Sequence, residues 1–148
     1  MNFKSMYAIM ALAMGMSFVS CSDDEGGKSS SNEELTDTEM IVSGVWKSGE
    51  VITLDRHLVV PEGESLTIEP GVTVIVSDQG VGVNHVPIEI SVKGNLYVLG
   101  TESKPVTFSV SPSLRTKENT FAGLWGGIVA YESCTEMAID HAIIEYTG

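Results

Sequence analysis

Leu66-Thr67-Ile68-Glu69-Pro70-Gly71-Val72-Thr73-Val74-Ile75-Val76 is the stretch that decides the fold class. Its even positions are apolar and its odd positions mostly polar, with Pro70-Gly71 as a turn in the middle. Period-two alternation belongs to a strand with one buried and one wet face. The same parity runs through Ile88, Ile90, Val92, Leu96 and Val98, with Gly94-Asn95 between, and then through Val106, Phe108 and Val110. Sliding Leu66, Ile68, Val72, Val74 and Val76 forward superposes them on Ile90, Val92, Leu96, Val98 and Gly100, and Pro70-Gly71 lands on Gly94-Asn95. A repeat of about two dozen residues, strand then turn then strand, marks a stacked solenoid whose turns bury their apolar face only against one another. An antiparallel sandwich also makes short strands. It needs tight hairpins, and no Asn-Gly or Asp-Gly pair occurs between the runs. The only stretch worth testing as a helix, Glu132 to Ala142, is weakened by β-branched and turn residues.

These pieces also carry a family resemblance. Leu66 to Val72 resembles the opening turn of right-handed parallel β-helix surface proteins. Gly94-Asn95-Leu96-Tyr97-Val98-Leu99-Gly100-Thr101 with Lys104-Pro105-Val106-Thr107-Phe108 is similar to their next turn. Trp125-Gly126-Gly127-Ile128 and Ile139-Asp140-His141-Ala142-Ile143-Ile144-Glu145-Tyr146 are similar to the turns after that. The resemblance covers about residues 46 to 148. It implies an all-β chain folded as a right-handed parallel β-helix, with an exported and often lipid-anchored location. It implies no single activity, because that scaffold carries lyases, hydrolases, adhesins and inert stalks. Ile139, Ala142, Ile144 and Tyr146 are expected in the core, with a bend at Asp140-His141. No polar cap follows them, so the expectation is a β-helix represented by its N-terminal turns only.

Upstream, Met6 to Val19 is apolar and follows Lys4, the pattern of a secretory signal too short to span a membrane. Phe18-Val19-Ser20-Cys21 resembles a bacterial lipobox, with Phe18 where an aliphatic residue is usual. The resemblance implies cleavage after residue 20 and lipidation of Cys21. Ser22 to Glu25 also resembles the acidic export signal of surface lipoproteins in Gram-negative gut anaerobes, which implies the outer face of the outer membrane. Three segments are expected: a lipoprotein signal peptide (1–20), a flexible acidic spacer anchored through Cys21 (21–40), and the β-helix (41–148). The spacer is rich in Ser, Asp, Glu, Gly and Asn, and buries too little to offset its ordering entropy. The formal net charge of -12 disfavours nucleic acid and anionic lipid as partners. The membrane is then reached through the lipid on Cys21, and the remaining partner is an extracellular glycan or protein.

Little here points to chemistry. Asp140, His141 and Glu145 lie close in sequence, but neighbours on a bend need not converge, and they are read as solvated charge. His57 and His85 lack ligand spacing to another His or Cys. Asp78 with Glu89 falls short of the six to eight oxygens that Ca²⁺ takes. Gly80-Val81-Gly82 lacks the strand, helix and later acid of a nucleotide fingerprint. With Cys21 lipidated, Cys134 has no disulfide partner and reads as a packed or turn residue. No catalytic residue, metal or cofactor is expected. Trp46, Tyr97, Trp125 and Tyr131 have outward parity, and Tyr97 with Trp125 on one face would form a glycan platform. The competing reading has Trp46 plugging the N-terminal end and Trp125 packing beneath an insertion at Ser111 to Thr120. That polar insertion is the best place for a contact. The leading expectation is a non-catalytic cell-surface module for glycan or protein binding and adhesion. The alternatives are the first part of a β-helix polysaccharide lyase or glycoside hydrolase, and a structural stalk.

Overall fold

The computed structural model describes residues 37–148. The signal segment 1–20, Cys21 and the spacer as far as residue 36 lie outside the described residues. Twelve short strands follow. β1 (Glu39–Ile41), β4 (His57–Val60), β7 (Glu89–Val92) and β10 (Gly127–Ala130) form a first sheet. β2 (Gly44–Trp46), β5 (Ser65–Ile68), β8 (Asn95–Leu99) and β11 (Met137–Asp140) form a second. β3 (Val51–Leu54), β6 (Thr73–Val76), β9 (Val106–Val110) and β12 (Ala142–Ile144) form a third. Every ladder between these strands is parallel. The chain visits the three sheets in the same order on each of four turns. That is a parallel β-helix, right-handed as parallel crossovers are. The first strand begins at Glu39, inside the stretch read as spacer.

The core is a set of ranks running up the column. Met40, Leu58, Ile90 and Ile128 stack on the first sheet. Trp46, Ile68, Val98 and Ile139 stack on the second, and Ile52, Val74, Phe108 and Ile144 on the third. The members from the second and third turns are fully buried, because each has a neighbour above and below. Each such side chain contributes about 1.5–3 kcal/mol by leaving water. Ile139 and Ile144 point inward as expected, yet they are 41% and 40% exposed, since no described strand lies beyond β11 and β12.

These ladders correct the pairing that the repeat implies. Leu66 lies beside Leu96 and Val74 beside Phe108, not beside Ile90 and Val98. The repeat aligns β5 and β6 of one turn with β7 and β8 of the next, one sheet out of place. Met40, Leu58, Ile90 and Ile128 mark the true turns, at widening intervals. The corners differ in length: residues 77–88 and 111–126 are excursions, and the second holds a 3₁₀ turn, Pro112–Leu114.

Polar clasps hold the turns in register. Glu69 of the second turn accepts from the Ser48 backbone N–H at 2.9 Å and from Lys47 Nζ at 3.1 Å, and Ser48 Oγ donates to the Pro70 carbonyl at 2.6 Å. The Ser48 N–H, and then the Lys47 ammonium, hold the Glu69 carboxyl below its ordinary value of 4.5. A depressed folded value stabilises above the unfolded one and is lost as the pH falls through the folded value. Melting temperature should therefore drop as the pH goes below 4.5, and Glu69→Gln should flatten that limb. A limb equally steep in the variant rules the clasp out as a contributor.

Candidate functional site

The outer face of the first sheet carries a second set of ranks, made of the odd residues between the core positions. Glu39, His57 and Glu89 form one, ending at Gly127. Ile41, Val59, Ser91 and Val129 form the next. Pro61, Lys93 and Tyr131 form a third, set by the Lys93 and Tyr131 N–H groups donating to the Val60 and Val92 carbonyls at 2.9 Å each. A groove of about 260 Å³ lies on this face, lined by Glu39, Ile41, Val59, Pro61, Glu62 and Lys93.

Local hydrogen bonds fix what the face offers. The Glu89 N–H donates to His57 Nδ1 at 3.1 Å, so the neutral ring carries its hydrogen on Nε2. Glu89 Oε1 accepts from Ser91 Oγ at 2.8 Å and from the Tyr131 hydroxyl at 3.4 Å. Lys93 Nζ stands 5.9 Å from the centroid of the Tyr131 ring, within cation–π range. The ion pairs among the described residues join Lys47 to Glu69 and Arg56 to Asp37 and Asp55. Lys93, Glu39 and Glu62 are therefore not paired with one another. The face thus combines an apolar floor, free carboxylate acceptors, an ammonium donor and an aromatic ring that is 43% exposed.

Tyr97 and Trp125 do not share a face, so they form no platform, and the competing reading in which Trp125 packs inside is the one that fits. Tyr97 faces outward on the second sheet, half-buried, and its hydroxyl donates to Glu136 Oε2 at 2.7 Å. That hydrogen bond raises its pKa above the usual phenol value. Trp125 is the correction. It is 0% exposed, lies in the core cluster, and its Nε1 donates to the Glu145 carbonyl at 2.8 Å. Gly127, at a φ of +88°, breaks the alternation just after it, so parity counted through Gly126-Gly127 assigns the wrong face. Trp46 is turned inward too, beside Ile68, and packs against the core. Of the four aromatics read as outward, Tyr97 and Tyr131 face out.

The remaining candidates have structural partners. Asp140 ends β11, His141 makes the bend at a φ of +44°, and Glu145 accepts from Ser109 Oγ at 3.0 Å. Cys134 is free and half-buried, its Sγ 3.6 Å from the Glu136 carbonyl. The insertion after β9 folds onto itself, with Arg115 Nε donating to the Val110 carbonyl and Asn119 Nδ2 to the Leu114 carbonyl. Among the described residues, no three His, Cys, Asp or Glu side chains gather as a metal site, and no helix is long and apolar enough to cross a membrane. A cavity of about 460 Å³ by Thr120, Phe121 and Tyr146 has the core-rank residue Ile144 in its lining. It lies beside β12, in the fourth turn.

A family model for a pectate-lyase-like β-helix domain matches residues 38–139, most of the described column. The chain belongs to that family. No curated protein and no solved structure matches it. The match begins one residue before β1 and ends within β11, so it takes in strands of all three sheets of this pectate-lyase-like column and leaves β12 beyond its end. Glu39, Ile41, Val59, Glu62 and Lys93 were missed as site residues. For Glu39, Ile41, Val59 and Lys93 the signal was odd parity, usable only once the register between turns is known; Glu62 lies in the corner after β4 and had none.

Proposed function

We propose that this chain is a cell-surface binding module, a β-helix held at the outer membrane by a lipid on Cys21, and that the outer face of its first sheet binds an extracellular glycan. The observation that carries the reading is Tyr131, exposed beside Lys93 at the end of a groove whose carboxylates have no described ion-pair partner. Exposed aromatic rings pack on the apolar faces of sugars, and carboxylates accept from vicinal hydroxyls. The anchor is supported by Lys4, the apolar run to Val19, and Ser20-Cys21.

Cells displaying the full chain should retain members of a panel of labelled polysaccharides. Tyr131→Ala should weaken retention about tenfold or more, equivalent to about 1.4 kcal/mol. It should leave folding stability within about 0.5 kcal/mol, as expected of an exposed side chain. Cys21→Ser should release the protein, and the binding, into the medium. Undiminished retention in Tyr131→Ala would falsify the site. A second reading, part of a β-helix lyase or hydrolase, draws on the family match. Shortened products in the same incubations would favour it over a pure binding module.

A further inference from the structure

We infer that the ligand of this face is an uncharged pyranoside chain lying along the column axis, about one sugar to each turn. The inference rests on the glycan-binding reading above and specifies the ligand of that same site. Charge is the first argument. Glu39 and Glu62 line the groove with Lys93 as the cation between them, on a chain of net charge -12. A polyuronate would set carboxylates against carboxylates at short range, and like charges so placed repel. Sugar hydroxyls suit the same residues, donating to the Glu39 and Glu62 carboxylates and accepting from Lys93 Nζ.

Spacing is the second argument. Equivalent positions recur about every 4.8 Å up a sheet, close to the length of one extended pyranose unit. A chain along the axis therefore meets Ile41 and Glu39, then Glu62 over the nearly buried Val59, then Lys93 beside the buried Ser91, then Val129 and Tyr131. Each turn offers it one polar or aromatic group. A chain running across the column would meet a single turn before passing a corner, since these strands are three to four residues long. The orientation follows from the period.

Calorimetry on the full chain in detergent solution tests this with two probe series of matched lengths: neutral xylo- or cello-oligosaccharides, and oligogalacturonates. Affinity for the neutral series should rise with each added unit and level off at about four. Oligogalacturonates should bind about tenfold or more weakly at every length, with a gap that narrows as salt screens the carboxylates. The double variant Glu39→Gln with Glu62→Gln should also narrow that gap. Equal or tighter binding of oligogalacturonates overturns the inference and leaves the glycan-binding reading intact. Neutral affinity that is flat with length overturns the axial placement. Binding by neither series overturns the reading under Proposed function, and this inference with it.

Discussion

Trp125→Ala is expected to lower folding stability by about 3–5 kcal/mol, the range for truncating a large buried aromatic. Against a typical total of about 5–15 kcal/mol that is a large fraction. Trp125 has no solvent exposure and stands at the start of the fourth turn, where it pairs in parallel with Thr147. Its indole fills the column among Val, Ile and Leu side chains that cannot collapse far, because parallel ladders fix the turns beneath it. Trp125→Phe separates packing from hydrogen bonding. It keeps most of the volume and removes the donor to the Glu145 carbonyl, a net cost of about 1 kcal/mol. Urea unfolding of the full chain should show a lower midpoint at unchanged slope for both variants, with alanine far below phenylalanine. An unchanged midpoint together with lost glycan binding would restore Trp125 to the surface and sink its placement in the core.

How far the sequence carries can be judged from particular residues. Leu66, Ile68, Val72, Val74, Val76, Ile88, Ile90, Val92, Leu96, Val98, Val106, Phe108 and Val110 share the inward parity, and all are buried. Local alternation suffices for that, since a strand's two faces are decided by its own residues. It says nothing about which sheet a strand joins. Partners in a β-helix come from the turn before, and the corners set that distance. The excursion of residues 77–88 shifts it between the second and third turns, and that of residues 111–126 shifts it again. Gly127, at positive φ beside Trp125, resets the count there, whereas Trp46 keeps the even inward parity of Met40 and Ile52. The candidate face was hidden for the same reason. Glu39, Val59, Lys93 and Tyr131 come from four different turns, and none is unusual among its sequence neighbours. Only the ladders bring them together.

Gly94→Ala should cost about 2–4 kcal/mol, at the upper end for inserting one methyl group. A Cβ on Gly94 would run into the carbonyl oxygens of Pro61 and Glu64, in the corner of the turn beneath. Both obstacles are backbone, so no side-chain rotation relieves them. The corner would have to lift, and three hydrogen bonds converge there: Lys93 and Gly94 N–H to the Val60 carbonyl, and Asn95 N–H to the Glu64 carbonyl, each 2.9 Å. Gly63, in the same lower corner, supplies the contrast. It has a φ of +78° and nothing within 4 Å of a Cβ. Gly63→Ala should therefore cost only the left-handed backbone penalty of about 1–2 kcal/mol. Lifting the corner also moves Lys93, so Gly94→Ala should weaken glycan binding by more than its loss of folded protein explains. Thermal unfolding of the two variants side by side decides the matter. Equal, small costs would mean that the turns do not approach as closely at Gly94 as the ladders require, and the axial period on which the glycan register depends would fail with them.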